Sequence, residues 1–171
     1  MTTVVSSIAD DCISEYIDGR WDRIDALQQQ QPSKAMAEAR PSVVDLLAWM
    51  SPGRVLAIGP HTIPAETAGL SSPQQLLISS CRGQLLQALA SFAMGEASQA
   101  KAATTALCAS LSMLLDDGNP ELTRALVVLR LAGPARLLRS LRFFQLGRVH
   151  QLAGDLPKRM TMVLGMHRSG T

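Results

Sequence analysis

The second half of this 171-residue chain is divided by glycine and proline into apolar stretches of helical length, separated by very short turns. Leucine, alanine and other apolar residues recur at three- and four-residue steps over residues 73–94, 96–116, 119–132 and 134–153. This period places them on one face of a helix. Helices joined by such short turns must fold back on their neighbours. The spacing therefore predicts an antiparallel stack of helical hairpins over residues 73–156.

The boundaries of these helices follow from individual residues. Gly95 and Gly133 are predicted to end helices. The sequence Asn119-Pro120-Glu121 is predicted to begin one, because it combines a capping side chain, proline at the first helical position and an acid. Residues 143–155 resemble half of a tetratricopeptide repeat, but the 34-residue period of that family does not recur. A plain hairpin stack is therefore preferred over a repeat array.

Residues 1–72 are predicted to form an N-terminal helical segment with an irregular loop. The apolar stripe over residues 4–30 indicates a helix that Gly19 breaks in two. A short helix opens at Pro41-Ser42, and Pro52-Gly53 is predicted to stop it. Residues 55–58 fit either a short strand or a buried turn. The glycine, proline and serine of residues 54–72 place the main internal boundary there.

The composition favours a folded helical protein. Apolar residues make up 47% of the chain and aromatic residues only 4%, which allows a buried core and favours helix over strand. No stretch reaches the roughly 20 apolar residues of a membrane span. The first residues lack the basic start of a signal peptide. We expect a cytoplasmic protein with no integral membrane span and no nucleic-acid partner.

Most reactive side chains before residue 157 are interpreted as structural, and no metal site is expected. The three cysteines are far apart and odd in number, so they are interpreted as core residues of a reduced protein; they are Cys12, Cys81 and Cys108. His61 and His150 have no partner at metal-ligand spacing. Two charged sets are interpreted as solvated helix faces, one acidic (Asp10, Asp11, Glu15 and Asp18) and one basic (Arg130, Arg136, Arg139 and Arg142). Binding of an acidic acceptor by the basic set is the alternative.

The pattern changes in residues 157–171. A short apolar run at 160–164 follows Pro157 and predicts a buried strand, the first of a parallel sheet. The next seven residues begin with Gly165 and include Gly170, which lets the backbone turn tightly and present its N–H groups to an anion. Arg168 adds a guanidinium fork that matches phosphate or sulfate oxygens. Strand and loop together predict a phosphate-binding site.

Two families use such a loop. The nucleoside triphosphatase pattern G-x-x-x-x-G-K-[ST] fits the spacing of the two glycines, but Thr171 stands where its lysine belongs. The segment more closely resembles the donor loop of sulfotransferases that use 3′-phosphoadenosine 5′-phosphosulfate, often G-x-H-R-S-G-T in bacterial members. The residues that match are Gly165, His167, Arg168, Ser169, Gly170 and Thr171.

The resemblance implies a co-substrate and a reaction. All six matched residues would bind the 5′-phosphosulfate end of the donor, and Arg168 would be catalytic, since it stands where the cytosolic enzymes have a lysine that steadies the leaving phosphate. The reaction would transfer a sulfuryl group in line to a hydroxyl or amine of an unidentified acceptor. The acceptor's base and the 3′-phosphate site would follow Thr171. The chain is therefore expected to be the inactive N-terminal part of an α/β sulfotransferase.

A second hypothesis from a different class remains. In this interpretation the chain is a helical interaction module whose apolar grooves bind a protein partner, and the terminal loop is incidental. The uneven charge fits the first hypothesis, since residues 121–171 contain two acids and nine bases, a net charge of +7. A basic region of this kind attracts anionic ligands.

Overall fold

The computed structural model describes residues 2–30, 41–58 and 70–152, which form helices and short connections without any strand. The helices are α1 (Thr2–Ile17), α2 (Trp21–Gln30), α3 (Val43–Trp49), α4 (Pro52–Ile58), α5 (Ser72–Ala93), α6 (Ala97–Leu115), α7 (Thr123–Leu131) and α8 (Gly133–Leu152). The predicted mainly α-helical class is confirmed for these residues. The predicted strand and loop of residues 157–171 lie outside them. None of the described helices is both long enough and apolar enough to cross a membrane.

Helices α5 and α6 form the most extensively packed pair. Gly95 ends α5 in the left-handed conformation, with φ of +76°. The N–H of Glu96 donates to the Ser91 carbonyl at 2.8 Å, and that of Gly95 donates to the Phe92 carbonyl at 3.2 Å. These two bonds satisfy the last carbonyls of α5 and turn the chain back toward α6. The prediction that Gly95 ends a helix is confirmed.

Small residues line the buried face of α6. Ala100 and Thr104 are fully buried, and Ser112 is nearly so. The Thr104 hydroxyl donates to the Ala100 carbonyl at 2.8 Å, and the Ser112 hydroxyl donates to the Ala109 carbonyl at 2.8 Å. Because each hydroxyl donates within its own helix, it can be buried without an acceptor on another helix. The small side chains let α5, α7 and α8 pack closely around α6.

The N-terminal helices are joined to this hairpin by a continuous core. Gly19, with φ of +81°, separates α1 from α2, as predicted. The buried Tyr16 hydroxyl donates to the Met50 carbonyl at 2.9 Å, which connects α1 to the end of α3. One cluster of buried side chains extends through all eight helices; it includes Ile13, Ile24, Leu47, Val55, Leu85, Leu107, Leu111, Leu126 and Leu137. Residues on both sides of the predicted boundary at 54–72 therefore contribute to the same core.

Two predictions before residue 123 are wrong, namely the strand or turn at residues 55–58 and the helix start at Asn119. Helix α3 does end ahead of Pro52-Gly53, at Trp49, but Pro52 also begins α4, where proline fits because the first helical N–H needs no intrahelical partner. Residues 55–58 are consequently helical, and neither a strand nor a turn. Asn119 does not cap α7: its side-chain oxygen accepts from the Glu121 N–H at 3.0 Å in a turn, and α7 begins at Thr123.

Helix α7 ends at Leu131, close to its predicted end at Ala132, but Gly133 is the first residue of α8 and not a left-handed helix terminator. The linking residue Ala132 has right-handed helical dihedrals, φ −97° and ψ −23°, so the chain bends there without reversing. Pro134 lacks the N–H that would continue the helical hydrogen bonds, which accounts for the bend. The expectation that α7 and α8 are antiparallel hairpin partners is therefore wrong. The glycine serves packing, because a Cβ on Gly133 would lie 3.4 Å from Cys108 Sγ on α6 and 3.7 Å from Ile17 Cγ2 on α1.

A pair of glycine substitutions in α8 tests this packing role. Gly147 has open space around its Cβ position, so Gly147→Ala should raise the free energy of unfolding by about 0.5–1 kcal/mol through helix propensity alone. Gly133→Ala should not show this stabilisation. Its Cβ would lie 3.2 Å from Leu129 Cδ1, in a space already bounded by α6 and α1, so neighbouring side chains would have to move. Urea unfolding followed by circular dichroism measures both. Equal stabilisation by the two alanines would contradict the close approach at Gly133.

Candidate functional site

The predicted donor-loop residues cannot be placed in the fold. Gly165, His167, Arg168, Ser169, Gly170 and Thr171 all lie outside the described residues. His61 does too, and the His150 side chain is not described. The prediction of a phosphosulfate loop therefore stays a prediction from the sequence. The candidate site that the structure does describe lies on α8, the helix that precedes this segment in the chain.

This site is an open cleft of about 680 Å³ between the α1–α2 turn and α8. One wall is formed by Asp18, Gly19, Arg20 and Trp21, and the other by Arg136, Arg139, Ser140, Phe143 and Phe144. Gly19 brings the two walls together, since a Cβ there would lie 3.0 Å from Ser140 Cβ. The Ser140 hydroxyl donates to the Ile17 carbonyl at 2.8 Å, which fixes α8 to the end of α1.

Aromatic rings form much of the cleft. The Trp21 ring centroid lies 6.3 Å from that of Tyr16 and 5.6 Å from that of Phe144, and both contacts are edge-to-face. Phe143 is 62% exposed, and the Arg139 guanidinium carbon lies 5.8 Å from its ring centroid, a cation–π distance. The chain has two Trp, one Tyr and three Phe. Four of these six aromatic residues therefore gather at one place.

The arginines of the cleft divide into one that is paired and two that are not. Arg136 donates through Nε and Nη2 to the two Asp18 carboxylate oxygens at 2.9 and 2.5 Å, and through Nη2 to Ser14 Oγ at 3.1 Å. Arg20 and Arg139 are exposed, and neither makes an ion pair with any residue of the described part. Asp18, the one carboxylate among the described lining residues, is thus already paired, and these residues together have an excess of positive charge.

The two charged sets lie at the surface, as interpreted, since none of their side chains is buried, but four of them are also paired. Asp18 and Arg136 form a fork-to-fork pair across two helices. Glu15 accepts from Arg23 at 3.3 Å, and the Arg130 Nε donates to the Ser112 hydroxyl at 3.0 Å. Asp11, Arg139 and Arg142 are exposed, as the interpretation expected. The Asp18–Arg136 pair could not be predicted from local sequence spacing, because the two residues are 118 positions apart.

A second cleft of about 540 Å³ continues from the first and shares Gly19, Trp21 and Phe144 with it. It is also lined by Asp25, whose pKa is raised by burial, while the nearby Arg54 opposes that shift. One Asp25 carboxylate oxygen and the Trp21 indole nitrogen are buried without a hydrogen-bond partner. The Arg54 guanidinium donates to the Gln28 side-chain oxygen at 3.0 Å. These two atoms are hidden from solvent, whereas Asp22, which also lines this second cleft, is an exposed acidic residue.

The cysteines are core residues, as predicted. All three are buried, and burial raises the pKa of Cys12 to about 11 and that of Cys81 and Cys108 to about 12. At neutral pH they are therefore thiols, which are poor nucleophiles. Among the described residues no group of histidine, cysteine and acidic side chains is arranged to hold a metal ion.

No protein-family model, curated protein or solved structure matches this chain. The terminal sequence motif and the cleft are therefore the two features that bear on function. The sequence does not predict the cleft, because its spacing puts Trp21 on the apolar stripe of residues 4–30 and Arg139 in a basic set interpreted as solvated. The adjacent Phe143 and Phe144 are the one local signal, because two neighbouring aromatic residues on a helix cannot both face the core.

The Arg136 pair gives a stability prediction with an internal control. Arg136→Lys should lower the free energy of unfolding by about 1 kcal/mol, because an ammonium cannot contact both carboxylate oxygens and Ser14 in one plane. Arg139→Lys, one turn along the same exposed side of α8, should change it by less than about 0.5 kcal/mol. Urea unfolding of both variants makes the comparison. Equal effects would show that the fork does not stabilise the α1–α8 contact.

Proposed function

We propose that this chain supplies the donor-binding loop of a sulfotransferase that uses 3′-phosphoadenosine 5′-phosphosulfate. The observation that carries the proposal is the segment Gly165-Met166-His167-Arg168-Ser169-Gly170-Thr171, directly after the short apolar run of residues 160–164. A glycine-containing loop behind such a run is the context in which backbone N–H groups bind an anion.

The proposed chemistry assigns separate roles within this loop. The bond between sulfur and the bridging oxygen of the donor breaks, and a bond between sulfur and the acceptor oxygen or nitrogen forms. The 5′-phosphate leaves with the electron pair of the broken bond, while a base takes the acceptor's proton. Arg168 stabilises the negative charge on the leaving phosphate but does not protonate it, since its guanidinium keeps its proton in proteins. Ser169, Gly170 and Thr171 hold the phosphate in line with the acceptor.

The charge distribution supports an anionic ligand. The last 51 residues carry the net charge of +7, whereas the whole chain has a net charge of +2. Positive charge concentrated in one region raises the local concentration of a polyanionic nucleotide and speeds its association. The structure adds that Arg136 is neutralised by Asp18 and so contributes little to this excess.

Donor binding tests the proposal directly. Isothermal titration of the 171-residue protein with 3′-phosphoadenosine 5′-phosphosulfate should show binding that Arg168→Ala weakens about tenfold or more, because a charge-assisted bidentate contact is lost. Arg168→Lys should retain part of the affinity. The control is Arg139→Ala, which removes one positive charge from the exposed side of α8. It should change the affinity for the donor less than about twofold. An affinity that is the same in all four proteins would exclude the loop as the donor site.

A second function, a helical protein-interaction module, is supported by a separate observation. Several large apolar side chains of α5–α8 are exposed; they are Leu76, Met94, Met113, Val127, Val128, Leu131, Phe143 and Leu146. Val127 and Leu131 lie one turn apart on α7, and Phe143 and Leu146 lie one turn apart on α8, so each pair forms a small exposed apolar patch of the kind that contacts another protein. Binding to a partner by this module does not require Arg168, so the titration above separates the two functions.

A further inference from the structure

We propose that the cleft between the α1–α2 turn and α8 is the docking site for a peptide segment of a partner protein, one that presents an acidic side chain beside an apolar one. The inference deepens the second function, the interaction module, and does not depend on the donor loop. It rests on the charges, the aromatic surface and the rigidity of the cleft walls.

The charges determine which partner fits. The ionisable side chains of the lining are Asp18, Arg20, Arg136 and Arg139, a formal net charge of +2. The Asp18–Arg136 pair is internally neutral, so the excess is carried by the exposed guanidinium groups of Arg20 and Arg139. A guanidinium binds a carboxylate with two parallel hydrogen bonds. A partner segment with an acidic side chain is therefore the complement.

The apolar surface lies directly beside this charge. Phe143 is 62% exposed, and Arg139 is positioned over its ring. A carboxylate bound by Arg139 places the neighbouring side chain of the same segment against Phe143. Trp21 and Phe144, which meet edge-to-face at 5.6 Å, offer a further apolar surface in the same cleft. Covering these rings adds apolar burial to the ionic contact.

The shape and composition favour a peptide over a small molecule. Sites for small ligands are concave and enclose most of the ligand surface. This cleft is open, and its accessible groups are aromatic rings and arginines, the residue types that dominate the binding energy of protein interfaces. A solvent-exposed ion pair alone contributes little binding free energy. A segment that also covers the ion pair with apolar side chains therefore binds more tightly than a free anion does.

The walls of the cleft are held in place before any partner binds. The Ser140–Ile17 hydrogen bond, the Arg136–Asp18 fork and the contact of Gly19 with Ser140 all join α8 to the end of α1. The Trp21 ring is packed against Tyr16 and Phe144. A preformed surface loses little conformational entropy on binding, so a short segment can bind it.

The experiment is selection from a random-peptide phage library on the 171-residue protein, followed by fluorescence anisotropy with a synthetic copy of the most enriched peptide. We expect enriched peptides to share an acidic residue next to aromatic or aliphatic ones. The double variant Arg20→Glu/Arg139→Glu should weaken binding about tenfold or more. Its matched control is Lys101→Glu/Arg124→Glu, which makes the same charge change at exposed positions outside the cleft and should change affinity less than about threefold.

The apolar contact is tested separately. Phe143→Ala should lower the affinity for the same peptide several-fold, whereas Ile58→Ala, at an exposed apolar side chain of α4 outside the cleft, should not. Circular dichroism confirms that each variant is folded.

Three other outcomes would contradict the inference, and each points to a different explanation. Enriched peptides that bind the Arg20→Glu/Arg139→Glu variant unchanged would place the interaction elsewhere and leave the module function standing. Full competition by millimolar inorganic phosphate would make the cleft a site for small anions. Absence of any enriched peptide would contradict both the proposed docking site and the interaction-module function. It would not bear on the donor-loop proposal, which the titration with 3′-phosphoadenosine 5′-phosphosulfate tests separately.

Discussion

The fold depends on the close approach of three helices around Gly133. The position of its absent Cβ lies within 3.4 Å of Cys108 Sγ on α6 and 3.7 Å of Ile17 Cγ2 on α1. This approach places the first turns of α8 against the end of α1. The bidentate Arg136–Asp18 pair and the hydrogen bond from Ser140 to the Ile17 carbonyl then form about one and two turns along α8, respectively. A larger residue at this point would separate the helices that build the cleft.

The placement of α8 also determines which polar groups are available to a ligand. Pairing removes Asp18 and Arg136 from the accessible charge and leaves Arg20 and Arg139 on the two walls. The aromatic contacts keep Trp21 and Phe144 in fixed orientations, while Phe143 stays largely exposed. The reactive thiols, by contrast, are inside the core and protonated. Among the described residues, therefore, the accessible chemistry is that of binding, and the proposed transfer chemistry belongs to the terminal loop.

Both proposals assign the recognition of an anion to arginine side chains, but they use different physical means. The loop of residues 165–171 would bind a phosphosulfate with backbone N–H groups and one guanidinium, a geometry specific for a compact polyanion. The cleft on α8 would bind a carboxylate beside apolar side chains, a combination that a nucleotide phosphate does not offer. Since the two sites share no residue, each can be removed without altering the other.

The sequence by itself determined the helical class, the breaks at Gly19 and Gly95 and the burial of the cysteines, because each of these is encoded in local spacing or residue type, and the donor loop stays a prediction from the same kind of signal. It did not determine that Pro52 begins a helix or that Gly133 serves packing, since proline and glycine stand at helix starts, ends and close contacts alike. Nor could it place Arg136 on Asp18, or Trp21 against Phe144. These pairs join residues more than a hundred positions apart, and only the packing of α8 on the end of α1 brings them together.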